Sequence, residues 1–129
     1  MKKYLIGFAL GLLFAVVLSK VFAEPLQVTP EGCISFGESA MNIAQARKDK
    51  VTLEDAYKTY DESLSKPDRT DWTHTDALIY KLIKDQIKEI YSWSDKKFNP
   101  LSPMDIGNSF IKECMQHKGN FNVILDLET

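Results

Sequence analysis

The sequence predicts an all-α fold, a small domain of four helices with one long central amphipathic helix. Three observations support this prediction. Apolar residues recur at three- and four-residue steps in four stretches, polar connections of about four to ten residues separate these stretches, and a residue that caps helix N-termini precedes three of them. Short connections between amphipathic helices are typical of helices packed around one core. The sequence contains no internal repeat.

The first 23 residues have the organisation of a secretory signal peptide. A basic start, Lys2-Lys3, precedes a run of apolar residues and glycine over positions 5–18, and Val21-Phe22-Ala23 carries small residues where a signal peptidase reads them. We therefore expect cleavage between Ala23 and Glu24 and a periplasmic or secreted product. The alternative is an anchor in the inner membrane, because an uncleaved segment of this length reaches about the minimum for a membrane span.

The chain that follows cleavage, residues 24–129, has the length of a single domain. Cleavage removes three lysines and no acidic residue, which leaves 13 basic and 18 acidic side chains and a formal charge of −5. Nucleic acid is excluded as a partner, because no basic cluster is interleaved with aromatic residues. A phosphate-rich membrane surface suits an acidic domain equally poorly, so membrane contact is expected only through the uncleaved signal segment.

The two cysteines, Cys33 and Cys114, form an even pair, which in an exported protein predicts a disulfide. They lie 81 positions apart. Closing a loop of this length stabilises a fold by roughly 4 kcal/mol in the chain-entropy model. We expect this bond to fasten the first helix to the last.

The two ends of the mature chain are predicted to be extended. Residues 24–31 are expected to form a leader, and residues 120–129 either a short strand or a tail lying on the core. Between them, the first helix is predicted from Gly32 to about Lys50, with Gly37 small enough to permit close approach of another helix. The stripe that defines this helix consists of Cys33, Phe36, Ala40, Ile43 or Ala44, and Arg47.

Two further helices follow, each with a capping residue at its start. Thr52 caps the second helix, which ends before the polar segment at residues 66–71. Thr73 caps the third and central helix, which extends to Trp93. The predicted buried face of the central helix carries Ile79, Ile83, Ile87 and Ile90, and its predicted solvent face carries Lys81, Lys84, Asp85, Lys88 and Glu89.

The fourth helix has the strongest start signal in the chain. Ser102-Pro103 supplies a capping serine with proline at the first helical position, and Asp105 supplies an acid at the third. We expect this helix to end at about His117, with Gly119 as the residue that closes it. Residues 94–100 are predicted to be a connection.

Cys114 and His117 share a helix face, as a catalytic nucleophile and its base would. A disulfide at Cys114 and a histidine in the last helical turn are favoured instead, because an oxidising compartment opposes a free thiol. The paired acids Glu54-Asp55 and Asp61-Glu62 are expected at a helix start and on a solvated face, whereas acid–base catalysis needs carboxylates in one cleft.

An oxygen-rich cluster around the third helix start could bind a cation. It contains Asp68, Asp71, His74 and Asp76. The cluster lacks the alternate-residue spacing and the glycine of a calcium loop, and its last member is expected to cap the helix. We therefore expect neither a metal nor a cofactor.

Aromatic residues flank the second and third helices, and most of them are expected in the core. Tyrosine and tryptophan with one edge in water also anchor partner surfaces. The possible interface residues are Tyr60, Trp72, Tyr91 and Trp93.

A set of residues and short motifs occurs along the chain in a recognisable order: Cys33, Ala40-x-x-Ile43-Ala44-x-Ala46-Arg47, Lys50-Val51-Thr52-Leu53, Ile87-x-x-Ile90-Tyr91, Ser102-Pro103 and Phe110-x-x-x-Cys114. This layout resembles a loose group of small secreted helical proteins of Gram-negative bacteria and their phages, mostly uncharacterised. The group commonly has glycine where this chain has Lys50. The resemblance implies a periplasmic, disulfide-bonded helical domain and supplies no active site.

These observations favour a non-enzymatic protein that binds another protein of the envelope, as an inhibitor, an immunity factor or an exclusion factor. The alternative is a carrier of a small apolar ligand held between helices. A third hypothesis is a small hydrolase whose site the sequence does not identify. A pocket of roughly 300 Å³ or more between helices would favour the carrier, and an exposed aromatic patch would favour the protein partner.

Overall fold

The computed structural model describes residues 23–125, which form five α-helices, one 3₁₀ turn and two short strands. Within this range no helix is both long and apolar enough to cross a membrane. The predicted signal peptide lies outside the described residues apart from Ala23, the first residue of the first strand. The elements are β1 (Ala23–Gln27), α1 (Pro30–Lys48), α2 (Leu53–Glu62), the 3₁₀ turn (Arg69–Asp71), α3 (His74–Ser92), α4 (Asp95–Phe98), α5 (Pro103–Gln116) and β2 (Asn120–Ile124).

The prediction of an all-α domain is right for the helices and incomplete at the two ends, which pair as an antiparallel two-stranded sheet. Leu26 of β1 faces Phe121 of β2 across the ladder. Leu26 and Val123 are buried and pack with Leu78 of α3 in a small second core. The alternation of apolar and polar residues that predicts a strand is weak in both segments, because only one side chain of each five-residue strand is fully buried.

The Cys33–Cys114 disulfide is confirmed and joins the start of α1 to the end of α5. The two helices are antiparallel and approach closely where glycines meet. A Cβ on Gly37 would lie 2.8 Å from the carbonyl oxygen of Gly107 and 2.1 Å from the side chain of Ile111. The small residue predicted to admit a neighbouring helix does so. Thr29 caps α1, which begins two residues before the predicted start at Gly32.

The central helix α3 packs its C-terminal half, including Ile87 and Ile90, against α1 and α5 in the main core. Its predicted buried face is wrong in the N-terminal half, where Ile79 is 42% exposed while Leu78 and Tyr80 are buried. The physical reason is a change of neighbour. The N-terminal half packs against the sheet and the segment before the helix. Its buried face is therefore the one that carries Leu78 and Tyr80, and Ile79 lies outside it.

Residues 94–100, predicted to be a connection, contain the one-turn helix α4, capped by Ser94. This turn places Phe98 in the main core with 2% of its surface exposed. The guanidinium of Arg47 lies 4.1 Å from the centre of the Phe98 ring and donates a 2.6 Å hydrogen bond to the Ile90 carbonyl. A single helical turn is too short to show a period, so the sequence pattern could not indicate it.

Candidate functional site

The four aromatic residues predicted as a possible interface fall into two groups at opposite ends of α3. Trp72 precedes the Thr73 cap and Trp93 is the C-terminal cap, so about 30 Å of helix separates them. Tyr60 lies near the first end and Tyr91 near the second. All four are partly buried. They therefore belong to two sites rather than to one continuous patch.

Tyr91 and Trp93 hold elements together. The Tyr91 hydroxyl donates a 2.8 Å hydrogen bond to the Val51 carbonyl, which ties the turn before α2 to α3. The ring of Trp93 stacks at 6.2 Å from that of Phe110, and the Lys97 ammonium lies 4.4 Å from the Trp93 ring centre. These three contacts have a structural role at this end of the helix.

A cleft of about 880 Å³ begins at the other end and runs along α3, between α2, the 3₁₀ turn and α3. We call it the cationic cleft. Its aromatic residues are Tyr57, Trp72 and Tyr80, its cations Arg69, Lys81, Lys84 and Lys88, and its carboxylates Asp61 and Asp85. Four cationic side chains against two carboxylates leave an excess of two positive charges, in a chain whose net charge is −2.

The aromatic rings of the cleft are fixed by contacts with each other and with the backbone. Trp72 lies 4.9 Å from Tyr80 between ring centres, and Tyr60 stacks on Tyr80 at 5.6 Å. The Trp72 indole N–H donates a 2.6 Å hydrogen bond to the Lys66 carbonyl, which folds the preceding loop onto the ring. Burial, with smaller contributions from Tyr80 and Asp61, raises the pKa of Tyr60 to about 12, so this hydroxyl stays neutral.

The Tyr80 hydroxyl organises the charges of the cleft. It donates a 2.6 Å hydrogen bond to Asp61 Oδ1 and accepts hydrogen bonds from Lys84 Nζ at 3.2 Å and from Arg69 at 3.3 Å. The Lys84 ammonium also lies 4.4 Å from the centre of the Tyr57 ring. Tyr80 and Lys84 are four residues apart on α3 and share one face, which α2 covers with Asp61 and Tyr57. The cations are therefore held by neighbours before any ligand binds.

The cationic cleft was missed from the sequence because it draws on three separate elements. The helical wheel placed Lys81, Lys84 and Asp85 on a solvated face, whereas the structure leaves each of them only partly exposed along the cleft. Lys81 and Asp85 form an ion pair at 2.7 Å. The loop that returns beside α3 brings Arg69 to the same place, and a pattern confined to one helix cannot show that contact.

Three residues of the oxygen-rich cluster predicted as a cation candidate have structural roles, and the fourth, Asp71, is exposed in the 3₁₀ turn. Asp68 accepts hydrogen bonds from the Thr70 backbone and hydroxyl, and these lower the pKa of its carboxyl. Asp76 completes the α3 capping box, where the Thr73 backbone N–H lowers its pKa. His74 pairs with Glu24 on β1. Within residues 23–125 no three potential ligands are grouped so that they could hold a metal ion.

Cys114 and His117 have the structural roles that the sequence favoured over a nucleophile and its base. Cys114 is bonded to Cys33, so it presents no thiol, and His117 is the C-terminal cap of α5. Of the paired acids, Glu54-Asp55 lies in the first turn of α2, and Asp61 is held by Tyr80.

A second opening of about 490 Å³ lies between α1, α2 and α3, and we call it the apolar groove. Its apolar lining includes Ile43, Val51, Ala56, Ile83 and Ile87. Hydroxyl and amide side chains from Ser35, Ser39, Asn42, Thr59 and Ser63 surround this lining.

No protein-family model, no curated protein and no solved structure matches this chain. The chemistry of the openings is therefore the basis on which a function is argued.

Proposed function

We propose that this protein acts without catalysis and binds an acidic segment of a protein partner in the cationic cleft. The observation that carries the proposal is the excess of positive charge around Tyr57, Trp72 and Tyr80 on a chain that is acidic overall. Carboxylates of a partner would meet the lysines and Arg69, and an apolar or aromatic side chain would lie against the rings. Partly buried charges of opposite sign speed the encounter of two partners and fix their relative position, and they add less to the affinity.

The length of the cleft supports a peptide segment over a compact metabolite. The lining extends along α3 from Thr73 to Lys88, which corresponds to roughly 22 Å of helix. An extended peptide advances about 3.3 Å per residue, so six or seven residues would span this distance. Tyr57, Trp72 and Tyr80 are rigid side chains of the kind that anchor protein interfaces.

The disulfide supports a location in an oxidising compartment, in agreement with the signal peptide expected from the sequence. The partner would then be a protein of the cell envelope. An inhibitor, an immunity factor or an exclusion factor would each act by such binding without any reactive group.

The test begins with a displayed library of random heptapeptides selected against the mature protein at low ionic strength. We expect enrichment of peptides with two or more acids beside an aromatic residue. Fluorescence anisotropy on the best peptide should then show affinity that falls as salt rises. Lys88→Glu in the cleft should weaken binding roughly fivefold, whereas Lys58→Glu, an exposed charge reversal on α2 outside the lining, should leave it unchanged.

Two outcomes would contradict the proposal. One is a set of selected peptides with no excess of acidic residues, and the other is equal weakening of binding by the two charge reversals. Either result would mean that the cationic cleft does not select the ligand.

The apolar groove favours a second function, transport of a small apolar ligand, because its 490 Å³ volume and apolar lining suit such a molecule. Binding of the neutral dye N-phenyl-1-naphthylamine, measured by fluorescence, tests this function. Thr59→Trp at the groove should abolish the signal, and Lys58→Trp on the neighbouring exposed position should preserve it. Equal signals from both variants would exclude the groove as the site.

A further inference from the structure

Gln86 of α3 is a polar side chain in the interior, with 2% of its surface exposed. Its amide nitrogen donates a 3.0 Å hydrogen bond to the Phe36 carbonyl of α1. A carbonyl oxygen can only accept, so this bond fixes which way the amide is turned. The amide oxygen is consequently left without a hydrogen-bond donor among residues 23–125. A buried acceptor in this state costs free energy, and a ligand with an N–H or O–H group would remove the cost.

Gln86 lines a cavity of about 220 Å³ where α1, α3, α5 and β2 meet. Three phenylalanine rings, Phe36, Phe110 and Phe121, form its apolar lining. The Phe36 ring meets the other two nearly edge to face, at centre distances of 5.5 Å and 5.2 Å. An engineered cavity of about 150 Å³ in another protein holds benzene. This cavity is therefore large enough for a molecule of about six non-hydrogen atoms.

Three carboxylates, Asp85, Glu89 and Glu113, line the same cavity. Asp85 is paired with Lys81. Partial burial and the neighbouring Glu113 raise the pKa of the Glu89 carboxyl, and Lys97 opposes them with a smaller effect. The cavity thus combines an acceptor that lacks a donor with negative charge and aromatic faces. Each of these three features favours a cation with N–H groups.

We propose that this cavity binds a small primary alkylammonium ion. On binding, the Gln86 side chain shifts enough to open its amide oxygen to the cavity, and one N–H donates to this oxygen. The charge faces Glu89 and Glu113, and the hydrocarbon chain lies among the three phenylalanine rings. Of its lining, this site shares only Asp85 with the cationic cleft. The charge of that cleft selects ligands of the opposite sign, so the proposal does not depend on the function proposed above.

The experiment uses n-butylammonium as the probe and the whole mature protein, with binding measured by calorimetry and by the side-chain NH₂ resonance of Gln86. Two molecules of similar size test the contributions of the charge and of the N–H groups separately. Butan-1-ol lacks the charge, and tetramethylammonium lacks N–H groups. We expect n-butylammonium to bind at least tenfold more tightly than either and to shift the Gln86 resonance. Nα-acetyl-lysine methylamide, a fourth probe, tests whether a lysine side chain is the better source of the same group.

Two substitutions place the ligand in the cavity. Glu113→Gln keeps the shape of an exposed side chain and removes a charge, and it should weaken n-butylammonium about fivefold. Glu54→Gln, on the distant start of α2, is the matched control and should have no effect. Gln86→Met removes the acceptor and should weaken binding at least tenfold. If this core variant does not fold, Glu113→Gln alone tests whether the ligand lies in the cavity.

The proposal is overturned if butan-1-ol binds as tightly as n-butylammonium, or if Glu113→Gln and Glu54→Gln behave alike. It is also overturned if no amine binds at millimolar concentration and a bound water is the only species that shows a nuclear Overhauser contact to Gln86. Tighter binding of the lysine derivative would assign the same cavity to a lysine side chain rather than to a free amine.

Discussion

Two lysines have backbone conformations that glycine adopts more easily. Lys50 after α1 and Lys118 after α5 have φ values of 66° and 55°. Each occupies the left-handed position of a Schellman motif, in which the next residue donates back to the helix, from Val51 to Ala46 at 3.0 Å and from Gly119 to Cys114 at 2.8 Å. The Cβ of a lysine costs roughly 1–2 kcal/mol in this region.

Replacing Lys50 with glycine should therefore stabilise the fold by up to about 1 kcal/mol, after the greater freedom of glycine in the unfolded chain is subtracted. Urea unfolding followed by circular dichroism measures the change. The contrast is Lys58→Gly inside α2, which should cost about 1 kcal/mol. If both variants lose stability alike, residue 50 does not have a left-handed conformation in solution.

The raised pKa of Glu89 predicts that the stability of the fold depends on pH. Because its pKa is raised in the fold, the folded state holds the proton more tightly than the unfolded chain does. The resulting stabilisation is complete below the ordinary glutamate pKa and is lost as pH rises through the raised value. Glu89→Gln should therefore raise the midpoint of thermal unfolding at pH 7 and leave it almost unchanged at pH 3. A variant that is less stable at pH 7 would contradict this assignment.

At the scale of elements, the sequence predicted best the starts of α2, α3 and α5, whereas the side-chain caps of α1 and α4, Thr29 and Ser94, were not recognised. Thr52, Thr73 and Ser102 each accept a hydrogen bond from the backbone N–H three residues on, as their spacing indicates. Such a cap is a local interaction, so sequence alone specifies it. The strands and the Gln86 cavity depend on residues distant in sequence, and Gln86 itself looks like an ordinary polar residue of a helix.

The disulfide adds a covalent link to the packed pair of α1 and α5. Cys33→Ser/Cys114→Ser should lower stability by roughly 4 kcal/mol, because the unfolded chain regains the freedom of a loop of 81 positions. For a domain of this size the thermal midpoint should fall by 15 °C or more. Scanning calorimetry with and without a reductant measures it. The reduced wild-type protein should match the double variant, and a wild-type midpoint insensitive to reduction would mean that the bond adds little.

At the scale of the whole molecule, stability is unevenly distributed around α3. None of the residues of α2 is fully buried, whereas α1 and α5 contribute Ala40, Ala44 and Ile106 to the main core. The cationic cleft and the apolar groove both use α2 as one side. Of the helices longer than one turn, α2 is therefore the one most easily displaced.

Hydrogen exchange should reveal this difference. We expect amide protons of α2 to exchange at least tenfold faster than those of α1 and α5, and an acidic peptide bound in the cationic cleft should slow them selectively. Mass spectrometry of peptic fragments after timed labelling gives the comparison. Equal protection of α2 and α5 would mean that the helices open only together.

The pairing of β1 with β2 also determines how the domain could be joined to other chains. Ala23 and Ile124 are partners in the ladder, so the two ends of the described segment lie about 5 Å apart. A short glycine linker would join them into a ring, and the chain could then be opened at another surface loop as a circular permutant. By the same geometry, the segment could be inserted as a guest into one loop of a host protein, with both junctions at a single point on its surface.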